Sequence, residues 1–243
     1  MSRISIAIPA YNEQGYIRSC LESLARQTIA PCLEVVVCLN ACTDNTEAIV
    51  REFARSSPLR LKIVHEPRKG VAYARQCAFE AATASIILSA DADTFYPPDW
   101  AQRIESVFSE HPEVVEVYGP VRLKDYDSSF KRRLHQAIDT LVLRLGRLVG
   151  HENVIGSNFA VRRWAFEKVG GFNTKLQALE DSEITWRLKR HGKVFFDKHL
   201  IVYASARRYK HWGFWWTATY YARNLIKLLW GKPQEHFEDV RAN

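Results

Sequence analysis

The chain has 243 residues, of which 47% are hydrophobic and 25% are charged. That length can bury a large core, and the composition excludes a disordered protein. The formal net charge of +7 favours anionic partners such as nucleotides, phosphorylated lipids or membrane surfaces. The basic residues are dispersed and form no known nucleic-acid module, so we expect no nucleic-acid partner.

The cysteines and the apolar segments bear on the compartment. The five cysteines form no CxxC pair, which favours buried free thiols in a reducing compartment over a disulfide framework. The first predicted strand begins within four residues of Met1, and no apolar stretch reaches the roughly 20 residues that span a bilayer. We therefore expect a cytoplasmic protein, with peripheral contact at the inner face of the membrane as an open alternative.

Strand and helix signals alternate over the first 90 residues. Apolar runs predict strands at 4–9, 33–39, 61–64 and 85–90. Helical spacing or a start signal predicts helices at 16–27, from Thr43 or Asp44 as N-cap, and from Lys69-Gly70 through residue 84. This alternation predicts βαβ units and an α/β fold with a parallel sheet.

The pattern changes after residue 99. Helices are predicted at 100–109, 130–149, 180–191 and 214–230, and strands at 114–121, at 156–161 and near Val194 and Val202. The 130–149 helix carries apolar residues in steps of four and three beside a basic flank. No repeat or linker interrupts the chain, so we predict one domain over 1–212 followed by an amphipathic helix and tail over 213–243.

Two acid pairs are candidates for chemistry. Asp91-Ala92-Asp93 follows an apolar run of strand length, and ligands of open α/β sheets bind at the carboxyl ends of the strands. Two carboxylates one residue apart can hold Mg²⁺ or Mn²⁺ together with substrate phosphates, although a solvated turn is the alternative. Glu180-Asp181 opens a predicted helix, where acids can also simply complement the helix dipole.

Five polar or glycine-containing segments follow one another along the chain, at residues 8–13, 39–46, 69–76, 91–93 and 179–183. In their residues and order they resemble the motifs of the family 2 glycosyltransferases. Members of that family are inverting enzymes that transfer a sugar from a nucleotide donor to an acceptor. The resemblance runs from about Ile4 to His191 and implies a GT-A fold: a Rossmann-like, mostly parallel central sheet flanked by helices, here with a helical C-terminal extension.

The resemblance also implies residue roles. Donor-binding positions are Pro9, Ala10, Tyr11, Glu13, Asn40, Lys69, Gly70, Arg75 and Asp91. The family commonly has an acid where this chain has Asn40, which leaves the identity of the base open. Asp93 and Asp91 would bind a divalent metal, Mg²⁺ or Mn²⁺, with His211 either a third ligand or an ordinary surface histidine.

On the acceptor side, the resemblance makes Asp181 the general base, with Glu180 as its neighbour and alternative. Gly156, Ser157 and Asn158 would line the acceptor or sugar site. An inverting displacement needs one such carboxylate to take the proton of the attacking hydroxyl.

These residues predict metal-dependent transfer from a nucleotide-diphosphate sugar, with UDP as the expected nucleotide, to a hydroxyl of a lipid-linked or cell-envelope glycan. The chain lacks the Gln-x-x-Arg-Trp motif of processive synthases, so we expect one sugar per encounter. A catalytically degenerate nucleotide-sugar-binding or scaffold protein remains an alternative. A sugar nucleotidyltransferase or a dinucleotide-dependent oxidoreductase fits less well, because neither glycine-rich loop follows the first strand.

The C-terminal helix has two distinct faces on a helical wheel. One predicted face, directed to the core, holds Phe214, Ala218, Tyr221, Leu225 and Leu228. The other holds Trp216, Tyr220, Arg223, Lys227 and Trp230. Aromatic rings among cations suit a lipid headgroup region, and packing of both faces against protein is the alternative.

Overall fold

A computed structural model describes residues 4–125, 152 and 154–230. Its strands are β1 Ile4–Ala10, β2 Leu33–Asn40, β3 Arg60–Glu66, β4 Ile86–Ser89, β5 Thr94–Phe95, β6 Val114–Tyr118, β7 Val121–Lys124, β8 Phe159–Arg162, β9 Lys193–Phe196 and β10 Val202–Ser205. Its helices are α1 Ile17–Ala25, α2 Thr46–Ser56, α3 Val71–Ala81, α4 Trp100–Glu110, α5 Arg163–Lys168, α6 Glu180–Leu188, α7 Arg207–Trp212 and α8 Phe214–Leu229, with a 3₁₀ turn at Ala30–Cys32.

The central sheet has seven strands in the order β3-β2-β1-β4-β8-β6-β9. Strands β1 to β4 are mutually parallel, β8 runs antiparallel to both β4 and β6, and β9 pairs parallel with β6. The predicted α/β class with a mostly parallel central sheet is therefore confirmed.

The parallel strands carry the candidate loops to one edge of the sheet. Strands β1, β2, β3 and β4 all end there, and Tyr11, Asn40, Lys69 and Asp91 lie at or just beyond these ends. Residues far apart in sequence therefore meet in one region, as the position of the motifs predicts.

Alternate side chains of the strands enter two cores, one on each face of the sheet. Along β2, Val35 and Val37 face one core, whereas Val36 and Cys38 face the other. The first core includes residues of α1, α2 and α4, and the second includes residues of α3, α5 and α6. Because both faces are covered, β1 and β2 appear in the sequence as nearly continuous apolar runs.

A second sheet corrects one predicted element. Residues 114–121 form not one strand but the whole of β6, a break at Gly119-Pro120 and the first residue of β7. β7 leaves the central sheet and pairs with β10, which also pairs with β5 in a three-stranded sheet. The apolar pattern continues across the break between β6 and β7 because both strands contribute buried side chains. The sequence therefore does not show where one strand ends and the next begins.

Several predicted boundaries also shift. Helix α2 begins at Thr46 rather than at Thr43 or Asp44, although the Asp44 carboxylate does accept a hydrogen bond from the Thr46 amide at 2.9 Å. Helix α6 ends at Leu188 instead of residue 191, and α3 ends at Ala81 instead of residue 84. The predicted 130–149 helix lies outside the described residues.

The five cysteines, Cys20, Cys32, Cys38, Cys42 and Cys77, are all free thiols. Cys20 and Cys38 are buried, as predicted for core elements, whereas Cys32 is exposed. Burial raises the pKa of the Cys20 and Cys38 thiols, which keeps them protonated and poorly nucleophilic.

The faces of α8 differ from the prediction at Tyr220. This side chain is buried, and the buried stripe runs through Thr217, Tyr220 and Asn224. Trp230 is 71% exposed, as predicted for the outer face, and Trp215, which is 75% exposed, lies on the same face. The side chains of the predicted core-facing residues lie outside the described part of the chain: Phe214, Ala218, Tyr221, Leu225 and Leu228. Across the described ranges, no helix has both the length and the apolar character needed to cross a bilayer.

Candidate active site

Three loops at the carboxyl edge of the sheet contain residues in a conformation that non-glycine residues rarely adopt. Asn12, Ala41 and Leu179 have φ values of 50°, 49° and 62°. Leu179 directly precedes Glu180 at the start of α6. Left-handed backbone at non-glycine residues carries a cost and concentrates at functional sites, so these loops mark the edge as the candidate site.

Arg75 of α3 lies at the centre of this edge. Its side chain is 3% exposed, and its guanidinium contacts Asp91 Oδ1 at 3.1 Å and Glu180 Oε1 at 3.2 Å. It also donates hydrogen bonds to the Ser89 hydroxyl and to the Gly156 carbonyl oxygen. A buried guanidinium needs such partners for its five N–H groups, and here four partners come from three separate segments.

Gly156 is required by the same arrangement. A Cβ atom at this position would lie 2.3 Å from Nη2 of Arg75, which is closer than real contacts allow. The glycine backbone also bonds on both sides, because its carbonyl accepts from Arg75 and its N–H donates to Asp181. Gly156 therefore links the arginine to the candidate base.

The two acids at the start of α6 have different environments. Glu180 is 4% exposed and is held by Arg75, whereas Asp181 is partly exposed. The surrounding protein and the nearby Glu180 raise the pKa of Asp181 well above the usual aspartate range, although Arg75 opposes this. Asp181 is thus the acid of the pair that a substrate can reach, with a pKa moved toward the range of a base working near neutral pH.

The acids of Asp91-Ala92-Asp93 each pair with a different arginine. Asp91 pairs with Arg75, and the Asp91 amide donates to the Tyr96 hydroxyl at 2.8 Å. Asp93 Oδ2 lies 2.9 Å from Nη2 of Arg207. The solvated-turn alternative does not describe these acids, since their side chains are 34% and 15% exposed and lie among cations.

Arg207 is the residue at this site that sequence reasoning missed. It begins α7, stacks over the Tyr16 ring at 4.7 Å and makes two hydrogen bonds to Glu13. Burial lowers its pKa, but the bonds to Glu13 and the charge of Asp93 raise it overall, so it stays charged. The available signal was the basic run at residues 207–210, which directly precedes His211.

The predicted donor loop is present. The Lys69 ammonium lies 4.4 Å from the centre of the Tyr11 ring, in position for a cation–π contact. Asn40, in contrast, is 2% exposed; its amide donates to the carbonyls of Glu66 and Arg68, and its Oδ1 accepts from the Gly70 amide. These bonds position the Lys69-Gly70 loop, and contact of Asn40 with the nucleotide base stays a prediction. At the end of β1, the buried Ala10 carbonyl accepts from the Cys42 thiol, and Pro9 precedes it in the strand.

The segment after Gly156 is also more structural than predicted. Asn158 is fully buried, accepts from the Trp100 indole and donates to the carbonyls of Leu200 and Pro120. Ser157 is 2% exposed, and its carbonyl accepts from the Tyr96 hydroxyl. The Asn158 side chain and the Ser157 carbonyl hold the loop, and of the three predicted acceptor positions Gly156 is the one with described contacts to the acid cluster.

His211 is not brought to the acid pair. It is exposed at the end of α7, with its ring beside Trp212. In the part of the chain that the structure describes, no three His, Cys, Asp or Glu side chains converge as a metal centre. The role of His211 as a third ligand stays a prediction.

Residues 5–170 match the family profile described as "Glycosyl transferase family 2". The chain belongs to this family. A glycosyltransferase of PGL/p-HBAD biosynthesis from Mycobacterium bovis is 31% identical over 185 residues, which cover 75% of this chain and 68% of that relative. The chondroitin synthase of Pasteurella multocida is 29% identical over 199 residues, covering 81% of this chain but only 20% of the synthase.

Solved structures share the GT-A fold with this family 2 chain. The mannosyltransferase PcManGT of Pyrobaculum calidifontis, solved with GDP-Man and Mn²⁺, superposes with a TM-score of 0.70 at 26% identity over 84% of this chain and 57% of that chain. Residues 1–349 of S. aureus TarS, in complex with UDP-GlcNAc, give a TM-score of 0.67 at 19% identity over 84% of this chain and 58% of that one. The predicted fold is confirmed.

The acid pair fits the divalent cation that the family resemblance implies. Mg²⁺ and Mn²⁺ prefer carboxylate oxygens and commonly combine one or two carboxylates with substrate phosphates. Each arginine contacts one oxygen of its acid, Oδ1 of Asp91 and Oδ2 of Asp93, while a carboxylate has two oxygens. A cation at Asp93 would share that carboxylate with Arg207.

Proposed function

We propose that this chain transfers a sugar, with inversion, from a nucleotide-diphosphate sugar to an acceptor hydroxyl. One observation carries the proposal: buried Arg75 joins Asp91, on the donor side, to Glu180, beside the candidate base. The guanidinium of Arg75 thus connects the proposed site of the leaving diphosphate to the proposed site of the nucleophile. Electrostatic groups arranged before the reaction stabilise charge that develops within it.

On the acceptor side, the Asp181 carboxylate takes the proton from the acceptor hydroxyl as that oxygen attacks the anomeric carbon. Its raised pKa makes it a stronger base than an ordinary aspartate. Glu180 remains bound to Arg75, and Gly156 holds Asp181 through its backbone amide.

On the donor side, the bond between the anomeric carbon and the diphosphate oxygen breaks, and the diphosphate leaves with the electron pair. Arg75 and Arg207 are the cations next to the acid pair and offset part of the growing negative charge. Asp91 and Asp93 would hold the divalent cation, which stabilises the same charge without a proton.

The donor is proposed to be UDP-linked, and calorimetric titration of UDP and GDP, each with and without Mn²⁺, tests this. Micromolar binding of UDP that needs Mn²⁺ supports the proposal. A preference for GDP would change the proposed nucleotide but not the proposed class of reaction. Binding without turnover of any donor sugar would favour the alternative of a nucleotide-sugar-binding protein. The pairing of both proposed metal-binding acids with arginines is also compatible with that alternative.

Inversion has a separate test in the product. Proton NMR of the first-formed product assigns the configuration at the anomeric carbon. A configuration opposite to the donor's supports a single displacement by an Asp181-activated hydroxyl, whereas retention contradicts it.

The proposed acceptor is a lipid-linked or cell-envelope glycan, reached by peripheral contact of α8 with the inner face of the membrane. The outer face of the helix carries Trp215, Ile226 and Trp230, which are 75%, 49% and 71% exposed, around exposed Arg223. Apolar rings beside a cation suit an anionic headgroup layer. Co-sedimentation with phosphatidylglycerol vesicles should exceed that with phosphatidylcholine vesicles and fall in Trp215→Ala/Trp230→Ala; equal binding by that variant would contradict it.

A further inference from the structure

A buried carboxyl group lies behind the candidate base and has no part in the mechanism above. Glu116 of β6 is completely buried, and its register neighbours on the two adjoining strands are Val161 and Val194. Its Oε2 atom has no hydrogen-bond partner among the described residues. Isolated ionised carboxylates are very costly to bury, so this environment favours the neutral acid.

The other oxygen of Glu116 connects the central sheet to the first turn of α6. The Thr185 hydroxyl oxygen lies 2.9 Å from Oε1 of Glu116 and 2.8 Å from the backbone carbonyl oxygen of Asp181. A short chain of contacts therefore runs from β6, through Thr185, to the residue that carries the candidate base.

A count of protons shows which state of Glu116 completes this chain. A threonine hydroxyl has one proton, and the Asp181 carbonyl can only accept. If Glu116 were ionised, two acceptors would share that single proton. If Glu116 is protonated, its own O–H donates to Thr185, and Thr185 donates to the carbonyl of Asp181.

The charged groups around Glu116 support the same state. Burial, together with the smaller effect of the negative charges of Asp181 and Glu152, raises the pKa of Glu116 to about 8, whereas the Thr185 hydrogen bond and the charge of Lys189 act in the opposite direction. Asp181 lies in the first turn of α6, Lys189 directly follows that helix, and Glu152 comes earlier in the chain.

We propose that Glu116 is a positioning residue that acts as a neutral carboxylic acid, holding the first turn of α6 through Thr185 so that Asp181 stays placed and ionised. The inference rests on the proposed role of Asp181 as base. Loss of the proton would break the chain to Asp181 and place a second negative charge beside it. The protonated acid should thus set the upper pH limit of transfer.

The first test does not depend on activity. Infrared difference spectra between the wild type and Glu116→Gln at pH 6 should show the carbonyl stretch of one protonated carboxyl group in the wild type, and this band should lose about half of its intensity near pH 8 and disappear at higher pH. Glutamine keeps the shape and an N–H donor. Absence of that band from the difference spectrum would overturn the proposal even if transfer is confirmed.

The second test is the pH profile of transfer. The ratio of kcat in Glu116→Gln to kcat in the wild type should rise above pH 8, approaching about tenfold per pH unit as Glu116 ionises. Glu34→Gln is the matched control, because Glu34 is also a buried strand carboxyl but bonds Ser5 and Thr83 at the opposite end of β2. A parallel profile for the wild type and Glu116→Gln would contradict the proposal.

Thr185 provides an independent pair of variants. Thr185→Val keeps the shape but removes the hydroxyl, so kcat should fall about tenfold or more with an unchanged Kd for the nucleotide, and Thr185→Ser should restore it. Full kcat in Thr185→Val would contradict the positioning role. If the wild type transfers no sugar, the proposed function fails, and the infrared band still decides the state of Glu116.

Discussion

The guanidinium of Arg207 forms two hydrogen bonds, of 2.6 and 2.7 Å, with the carboxylate of Glu13 across 194 residues of sequence. This pair ties the beginning of α7 to the loop after β1. Because Arg207 also contacts Asp93, the C-terminal segment reaches the candidate metal and diphosphate site.

The Glu13–Arg207 pair should contribute measurably to stability. Its side chains are 3% and 12% exposed, so Glu13→Gln leaves a buried guanidinium short of a partner and should lower the free energy of unfolding by about 3–5 kcal/mol. Denaturant unfolding at pH 7 measures this. Arg18→Gln is the control, because the exposed Arg18–Glu52 pair should cost below about 1 kcal/mol. Equal losses in the two variants would show that burial of the pair is unimportant.

Asp181→Asn should lower kcat by about 10²–10⁴-fold while the nucleotide Kd, measured by calorimetry, stays nearly unchanged. The amide cannot accept the proton of the acceptor hydroxyl but retains the size of the side chain. Glu183→Gln is the control, since Glu183 lies in the same turn and pairs with Arg187. A large loss of nucleotide affinity in Asp181→Asn would argue against the role of base.

Asp93→Ala should abolish the Mn²⁺-dependent part of nucleotide binding, because it removes a carboxylate ligand next to the proposed diphosphate site. Titrations with Mn²⁺ and with chelator separate this part from metal-independent binding. Asp99→Ala, an exposed acid that directly precedes α4, should behave as the wild type. Unchanged Mn²⁺ dependence in Asp93→Ala would exclude Asp93 as a ligand.

Gly156→Ala should displace Arg75, because the added Cβ would lie 2.3 Å from the guanidinium. We expect transfer to be lost and stability to fall by about 1–3 kcal/mol, as for other overpacked sites. Gly15→Ala is a suitable control, since a Cβ there has no heavy atom within 4 Å. Full activity of Gly156→Ala would show that Arg75 has no fixed position in catalysis.

The stability of the wild type should fall with rising pH because of Glu116. Burial raises its pKa from 4.5 in the unfolded chain to about 8, so the stabilising preference for the proton is complete below pH 4.5 and is lost as pH rises to 8. The slope attributable to this group is roughly 1.4 kcal/mol per pH unit. Glu116→Gln should lack it, so the variant gains stability relative to the wild type over that range. Parallel unfolding curves at pH 5, 6, 7 and 8 would contradict the shift.

Local patterns in the sequence were enough to predict the parallel strands and the order of the motifs. Strands β1, β2 and β4 are short apolar runs that end in polar turns, and this information is local. Once the sheet is parallel, its topology places residues at the ends of these strands on one edge. Asp91 and Asp93 could therefore be assigned to this edge before their distances were known, whereas Arg75, which lies within α3, was assigned to it by the family resemblance.

The contacts between charged groups, in contrast, could be read only from the folded chain. Arg207 reaches Glu13 and Asp93, and Asn40 turns its amide to the backbone, because the paths of loops and packed helices bring these groups together. Glu116 in sequence is a single acid within an apolar strand, and nothing nearby in the chain shows that it faces Thr185. Periodicity and turn chemistry are properties of neighbouring residues, whereas ion pairs and proton positions depend on contacts between distant segments.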